Sequence, residues 1–529
     1  MRNKILQTFS LLVIFSLFTA ALGQSAAMLY QVKRTESAET WRRDGWRAVD
    51  RAKTEKIRKG KAKNVILFVG DGMGVSTLTA ARIYEGQMRG ESGEENRLSF
   101  EEFPFSALSK TYGTNQQTSD SAPTMSAIIS GVKTDEGIIS VNQNVQLAHY
   151  KTVAGNETKT LLEYVEDAGK STGIVSTARL THATPAACYA HSATRDWESD
   201  GDYIRLRDNA IRDKRPDIAK LHNDAYDAKF PDIARQLIEF KYGDGLEVAF
   251  GGGRTKFMPN TVTDPEDKTK SGERVDGRDL TQEWKSKFRN SAYIWNKQQF
   301  DTIDPRRDKH VLALFEPSHM KYEHDRPRDT AGEPSLSEMT SKAIDILATN
   351  KKGYFLMVEG GRIDHAHHDG NAYRALKDTV AFSDAVRTAL KKTNLDETLV
   401  IVTADHSHTF FIQGYPARGN NILGLVREIG PDGEVEKDYS GDRDKKPYTT
   451  LGYANGPGAR GAERPALTQD MALDPNYKQE ASIPMLSETH GGEDVAIFAT
   501  GVNAHLIRGS MEQNWIFYVM ADAMRLGRK

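Results

Sequence analysis

Cysteine is almost absent from this chain. Cys188 is the one thiol in 529 residues, so no internal disulfide can form, and stability must come from the core, bound metals or oligomerisation. No metal or triad pattern surrounds Cys188, which marks it as a small buried residue rather than a nucleophile. A surplus of either charge is also missing. Lys and Arg number 71 against 73 Asp and Glu, a formal net charge of −2. That balance speaks against a nucleic-acid binder, which carries a strong basic excess. Long apolar runs are missing as well. The one near the start, residues 11–18, is short for a membrane span of about 20 residues.

That short run follows Arg2 and Lys4 and precedes Ala21-Leu22-Gly23, a small-residue cleavage site. Residues 1–23 therefore read as a secretory signal peptide. Loss of the two basic residues takes the charge from −2 to −4. The C-terminus ends in Arg-Lys and has no hydrophobic tail for a glycolipid anchor. The expectation is a soluble exported protein, periplasmic or extracellular, with no membrane span.

With 38% hydrophobic residues the chain can build a large core. Unbroken apolar, β-branched runs at 64–69, 173–177, 354–358, 398–403 and 494–499 read as strands buried on both faces. Helical patterns at 159–168, 335–348 and 372–391 lie between them. The alternation predicts an α/β fold, doubly wound, with a mostly parallel central sheet and helices on both faces. Around this core (61–409 and 490–529) the organisation has three additions. Residues 24–60 form an N-terminal arm with a helix whose Trp41, Trp46 and Val49 make an exposed apolar stripe, docked on this chain or on a partner. Residues 200–330 are a polar elaboration with weak periodicity. Residues 410–489, rich in Gly, Pro, Asn and Asp, are a loop-rich insertion. The Lys/Arg cluster at 56–63 reads as a solvated face.

The acidic and His residues fall at strand ends. Asp71 follows NVILFVG, His182 and Thr184 follow GIVST, Glu359 ends YFLMV, and Asp405 and His406 follow TLVIVTA. Ligands of open α/β sheets bind beyond the carboxyl ends of strands. Four strands delivering such residues to one edge point to a metal site. His490 precedes its strand and would reach the site from a loop. In Asp364-His365-Ala366-His367-His368, the first and last residues share one face of a helical turn, and carboxylate plus imidazole suits Zn²⁺. Alone, that segment also reads as a His-rich surface turn, with His367 the least site-like member. Ser121, in Thr118-Ser119-Asp120-Ser121-Ala122-Pro123-Thr124, starts a helix that glycine ends at Gly131. A helix N-terminus favours an anion, but the segment alone reads better as a plain cap.

Together these segments are identified as those of the alkaline phosphatase family. The chain resembles the mammalian type more than the enterobacterial one, from about Trp41 to about Ala523. The motifs are VGDGMGVSTLTAAR, SDSAPT, THATPAACYAH, VEGGRIDHAHHD, TADHSHTF and ETHGGEDVAIFATG. The resemblance implies one zinc on Asp364, His368 and His490, and a second on Asp71, Asp405 and His406. It implies a magnesium on Asp71, Thr184 and Glu359. His182, His365 and Asp120 are implied as groups near the metals, and Arg195 as the phosphate clamp. It implies calcium on Glu266, Phe315, Glu316 and Glu333, where Glu333 replaces an Asp after a loop two residues longer. The insertion at 410–489 resembles the family's crown domain, and a homodimer is implied. Pro123 departs from the small residue usual two positions after the serine. The implied function is hydrolysis of small phosphomonoesters, with broad specificity, through a phosphoserine on Ser121. A related two-metal phosphodiesterase or sulfatase would lack Arg195 together with the Thr184/Glu359 pair. A non-catalytic phosphate- or metal-binding relic would lack a ligand or the nucleophile.

Overall fold

The computed structural model describes residue 30 and residues 36–461 and 464–527. The leader read at 1–23 lies outside them. Fifteen strands run in chain order: β1 (Asn64–Gly70), β2 (Phe105–Lys110), β3 (Ser171–Arg179), β4 (Val248–Gly252), β5 (Ser291–Ile294), β6 (His310–Leu314), β7 (Tyr354–Gly360), β8 (Thr398–Ala404), β9 (Ser407–His408), β10 (Phe410–Ile412), β11 (Leu451–Gly456), β12 (Ala481–Pro484), β13 (His490–Gly491), β14 (Val495–Gly501) and β15 (Gly509–Glu512). Ten of them make one sheet, in the order β15-β2-β14-β8-β1-β7-β3-β4-β6-β5. Its pairs are parallel except those of β14, which runs antiparallel to both β8 and β2.

The unbroken apolar runs are explained by burial on both faces. Along β1, Val65, Leu67 and Val69 enter one core, while Ile66 and Phe68 enter the other. β7 and β8 alternate in the same way. Helices Ser121–Ser130, Leu161–Asp167 and Trp515–Met524 cover the first face. Helices Val75–Met88, Leu336–Leu347 and Ala372–Lys392 cover the second. The fold is thus α/β and doubly wound, as the alternation predicted. The stretch 200–330 contributes β4, β5 and β6 to the main sheet, besides its helices. Those strands have five, four and five residues, too short to show a period. In 410–489, β10, β11 and β12 form a separate three-stranded sheet. Among the described residues, no helix is long and apolar enough to cross a membrane. Helix Ala38–Thr54 buries none of its residues, and Trp41 and Trp46 are 61% and 69% exposed.

Candidate active site

β1 lies between β7 and β8 at the centre of the sheet. All three run parallel, so their carboxyl ends lie at one edge of the sheet, where such sheets bind ligands. Asp71 follows β1, and Asp405 and His406 follow β8. Glu359 is the penultimate residue of β7, and helix Arg362–His368 comes directly after it. Gly72 makes this approach feasible. Its φ is +66°, and a Cβ there would lie 2.3 Å from His408 Nε2. Glycine alone accepts both the left-handed backbone and the contact.

Three groups of donor atoms converge here. The first comprises Asp364, His368, His408 and His490. Asp364 Oδ1 lies 2.8 Å from His408 Nε2 and 3.4 Å from both His368 Nε2 and His490 Nε2. The Nδ1 atoms point elsewhere. His368 Nδ1 meets the Glu488 carbonyl at 2.6 Å, and His490 Nδ1 meets the Ser119 carbonyl at 2.9 Å. A carbonyl can only accept, so each Nδ1 carries the proton and each Nε2 keeps its lone pair for a ligand. His490 reaches the group because β13 pairs antiparallel with β9, placing His490 opposite His408. Burial raises the Asp364 pKa, but His368 and the neighbouring imidazoles outweigh it and hold the carboxyl far below the usual range.

The second group is Asp71, Asp405 and His406, all fully buried. His406 Nε2 lies 3.3 Å from Asp71 Oδ1 and 3.5 Å from Asp405 Oδ2. Asp405 Oδ1 accepts the Gly72 and His406 N–H groups at 3.1 and 3.0 Å. Burial lowers the His406 pKa, but Asp405 and Asp71 overcome it and push the value up to about 10. The third group is Asp71, His182 and Glu359, with Thr184 on the short helix Ala183–Ala186 beside it. Burial, followed by the charges of Asp405 and Asp364, drives the Asp71 pKa upward. Burial also raises that of Glu359.

These carboxylates are short of counter-charge, and their donor atoms are idle. Asp71 Oδ2, Glu359 Oε1 and Thr184 Oγ1 are buried with no hydrogen-bond partner. Unsatisfied buried carboxylate oxygens are costly. Divalent cations remove that cost, so the residues fit bound metal ions.

Ser121 opens helix Ser121–Ser130, which is buried throughout. Its Oγ is 3.1 Å from His406 Nε2 and donates to Asp71 Oδ1 at 3.4 Å. Asp120 caps the helix by accepting the Ala122 N–H at 3.0 Å, and its Oδ2 accepts from Arg195 Nη1 at 3.0 Å. One carboxylate thus ties the serine's helix to the arginine. Pro123 stands in the first turn, where no intrahelical N–H bond is needed. Arg195 Nη2 donates to His182 Nε2 at 2.8 Å. The His182 and His365 rings are 5.3 Å apart. His367 is bound by Thr77 Oγ1 at 3.0 Å and the Tyr453 hydroxyl at 2.8 Å, outside all three groups.

Sequence reasoning missed His408 and Glu488. His408 touches Asp364, and its Nδ1 is 2.6 Å from Glu488 Oε2. The signal lay in TADHSHTF: on an extended segment, residues two apart share a side, so His408 follows His406 into the site. A fourth acidic group, Glu266, Glu316 and Asp329, lies away from these. Asp329 was not anticipated. Glu333 stands next to the group, with Oε1 accepting the Lys321 N–H at 2.9 Å and Oε2 buried without a partner. The Phe315 carbonyl accepts from Arg254 Nη1 at 3.1 Å, and Lys321 Nζ lies 3.1 Å from Glu316.

Comparison with known proteins points to one family. A family profile described as alkaline phosphatase matches residues 62–526. The tissue-nonspecific alkaline phosphatase isozyme of Rattus norvegicus is 42% identical over 524 residues, 97% of this chain and 94% of that one. The isozyme of Homo sapiens is 44% identical over 481 residues, 89% of this chain and 86% of that one. Among solved structures, alkaline phosphatase from Thermus thermophilus shares the fold, with a TM-score of 0.60 and 22% identity over 90% of this chain and 94% of that one.

Proposed function

The chain belongs to the alkaline phosphatase family, and we propose that it hydrolyses small phosphate monoesters by attack of Ser121 on phosphorus. The observation that carries this reading is the setting of Ser121 Oγ, against Asp71 and His406 amid buried carboxylates with idle oxygens. Asp364, His368 and His490 would hold one zinc, with His408 beside them. Asp71, Asp405 and His406 would hold a second, and Asp71, Thr184 and Glu359 a magnesium. When bound, such metals supply positive charge that favours the serine alkoxide, steadies the departing oxygen and acidifies water.

The protein's own groups do the rest. Ser121 presents its oxygen from a helix N-terminus, where the peptide dipoles favour the anionic phosphoryl group. The Ser121 hydroxyl donates to Asp71 Oδ1, and His406 Nε2 lies 3.1 Å from its oxygen. Arg195 keeps one further N–H on each Nη beyond those given to Asp120 and His182. That leaves a fork for two phosphoryl oxygens. The P–O bond to the alcohol breaks as the bond to Ser121 forms, and water then releases phosphate from the serine. Recognition centres on the phosphoryl group, so a range of alcohols is accepted.

Export, a homodimer and calcium on the Glu266–Glu316 group, with Glu333, belong to the same reading. The uncovered Trp41 and Trp46 support a second copy. Purified protein loaded with zinc and magnesium should cleave an aryl phosphate at alkaline pH and lose the activity on chelation. Absence of cleavage by the loaded protein would sink the proposal.

A further inference from the structure

Beside Arg195 lie three imidazoles. Ring centroids are 5.3 Å apart for His182 and His365, 5.4 Å for His182 and His319, and 3.9 Å for His319 and His365. The rings arrive on three separate elements: the turn after β3, helix Arg362–His368 and the turn after β6.

The cluster controls one side of the guanidinium. Arg195 is held at Nη1 by Asp120 and at Nη2 by His182. The second torsion of a histidine is broad and two-fold, so an imidazole held at one edge can swing. His182 Nδ1 is buried without a partner, and no hydrogen bond fixes the ring from that side. The flanking rings of His319 and His365 do so by packing. His319 is itself anchored from behind. Arg179 Nη1, which can only donate, lies 2.5 Å from its Nε2, and the Arg179 backbone N–H lies 3.2 Å from its Nδ1. The Arg179 guanidinium makes two bonds of 2.7 Å to Glu198, which also accepts from Thr181 Oγ1 at 2.5 Å. Burial pushes the Glu198 pKa up, but Arg179 and Lys256 outweigh it and bring it down to about 2. Glu198 is therefore ionised and paired with Arg179 at neutral and alkaline pH.

We propose that His319 is a positioning residue for phosphoryl transfer: it braces His182 and His365 and so fixes the direction from which Arg195 meets phosphate. The proposal rests on the function above only for the role of Arg195. The test uses zinc- and magnesium-loaded wild type, His319→Ala, Arg195→Ala and the double variant. KM and kcat are measured on an aryl phosphate, and Kd for inorganic phosphate by calorimetry. His319→Ala should raise KM and phosphate Kd about 5- to 20-fold, within the range for contacting residues, while kcat falls less. His319→Phe, which keeps a flat ring, should recover most of the affinity. In the Arg195→Ala background the same His319 change should shift Kd less than about twofold. Equal shifts in both backgrounds, or an unchanged phosphate Kd in His319→Ala, overturn the proposal. Should His319→Ala not fold, His319→Asn carries the same cycle. Inactivity of the loaded wild type would count against the functional reading instead.

Discussion

Ser121 sits against Asp71, His406 and Asp120, the last joined to Arg195, and none of these lies next to it in sequence except Asp120. His406 is 285 residues away and Asp71 is 50. Two substitutions separate the contributions. Ser121→Ala should reduce kcat by at least about 10³-fold, because the covalent route is lost while the charge around it stays; steady-state kinetics on an aryl phosphate reads this. Gly72→Ala should be nearly as damaging. A methyl 2.3 Å from His408 Nε2 must displace that ring, and φ of +66° adds backbone strain. Activity and metal content should fall together. Normal metal content with normal turnover would show that the turn has more room than the geometry gives it.

At the scale of elements, β1, β7 and β8 hold the site because they are buried on both faces and rigid. Phe382 packs edge-on against Phe68 and Phe100 at 5.8 and 6.0 Å. Phe382→Ala should cost about 3–5 kcal/mol by denaturant unfolding. At the opposite end of the sheet, Glu166 and Glu247 are buried near the start of β3. Their pKa values are raised, that of Glu166 by burial and the charge of Glu247, that of Glu247 mainly by burial. A carboxyl raised by folding binds more protons folded than unfolded. Its stabilising contribution is complete below the ordinary value of 4.5 and is lost as pH rises through the folded value. Glu166→Gln should therefore gain thermal stability relative to wild type as pH is raised from acid to alkaline. A constant difference across pH would contradict the assignment.

These elements also show what the sequence revealed. The long strands were legible because burial on two faces writes an unbroken apolar run. β2, with alternating exposure, and the short β4 to β6 left no such mark. Ligand-type residues at strand ends were legible because the fold brings those ends together. His408 and Asp329 were missed because what joins them to their groups is tertiary contact: the β9–β13 pairing in one case, the approach of Asp329 to Glu266 and Glu316 in the other.

For the whole molecule, the deficit of positive charge around the buried carboxylates couples metal to stability. Chelation should lower Tm, and added zinc should restore it in a concentration-dependent way, since a ligand bound only by the folded state stabilises by mass action. With one cysteine no disulfide buffers that loss. The exposed Trp41 and Trp46 on helix Ala38–Thr54 predict a second whole-molecule effect. Light scattering should give twice the chain mass, and the double change of both residues to Ser should shift it toward one. The most direct measurement of the central claim is peptide mass mapping after acid quenching of the loaded protein with an aryl phosphate. A phosphoryl group should appear on Ser121 and be missing from Ser121→Ala. Full turnover with Ser121 unmodified and the phosphoryl group on another residue would contradict it.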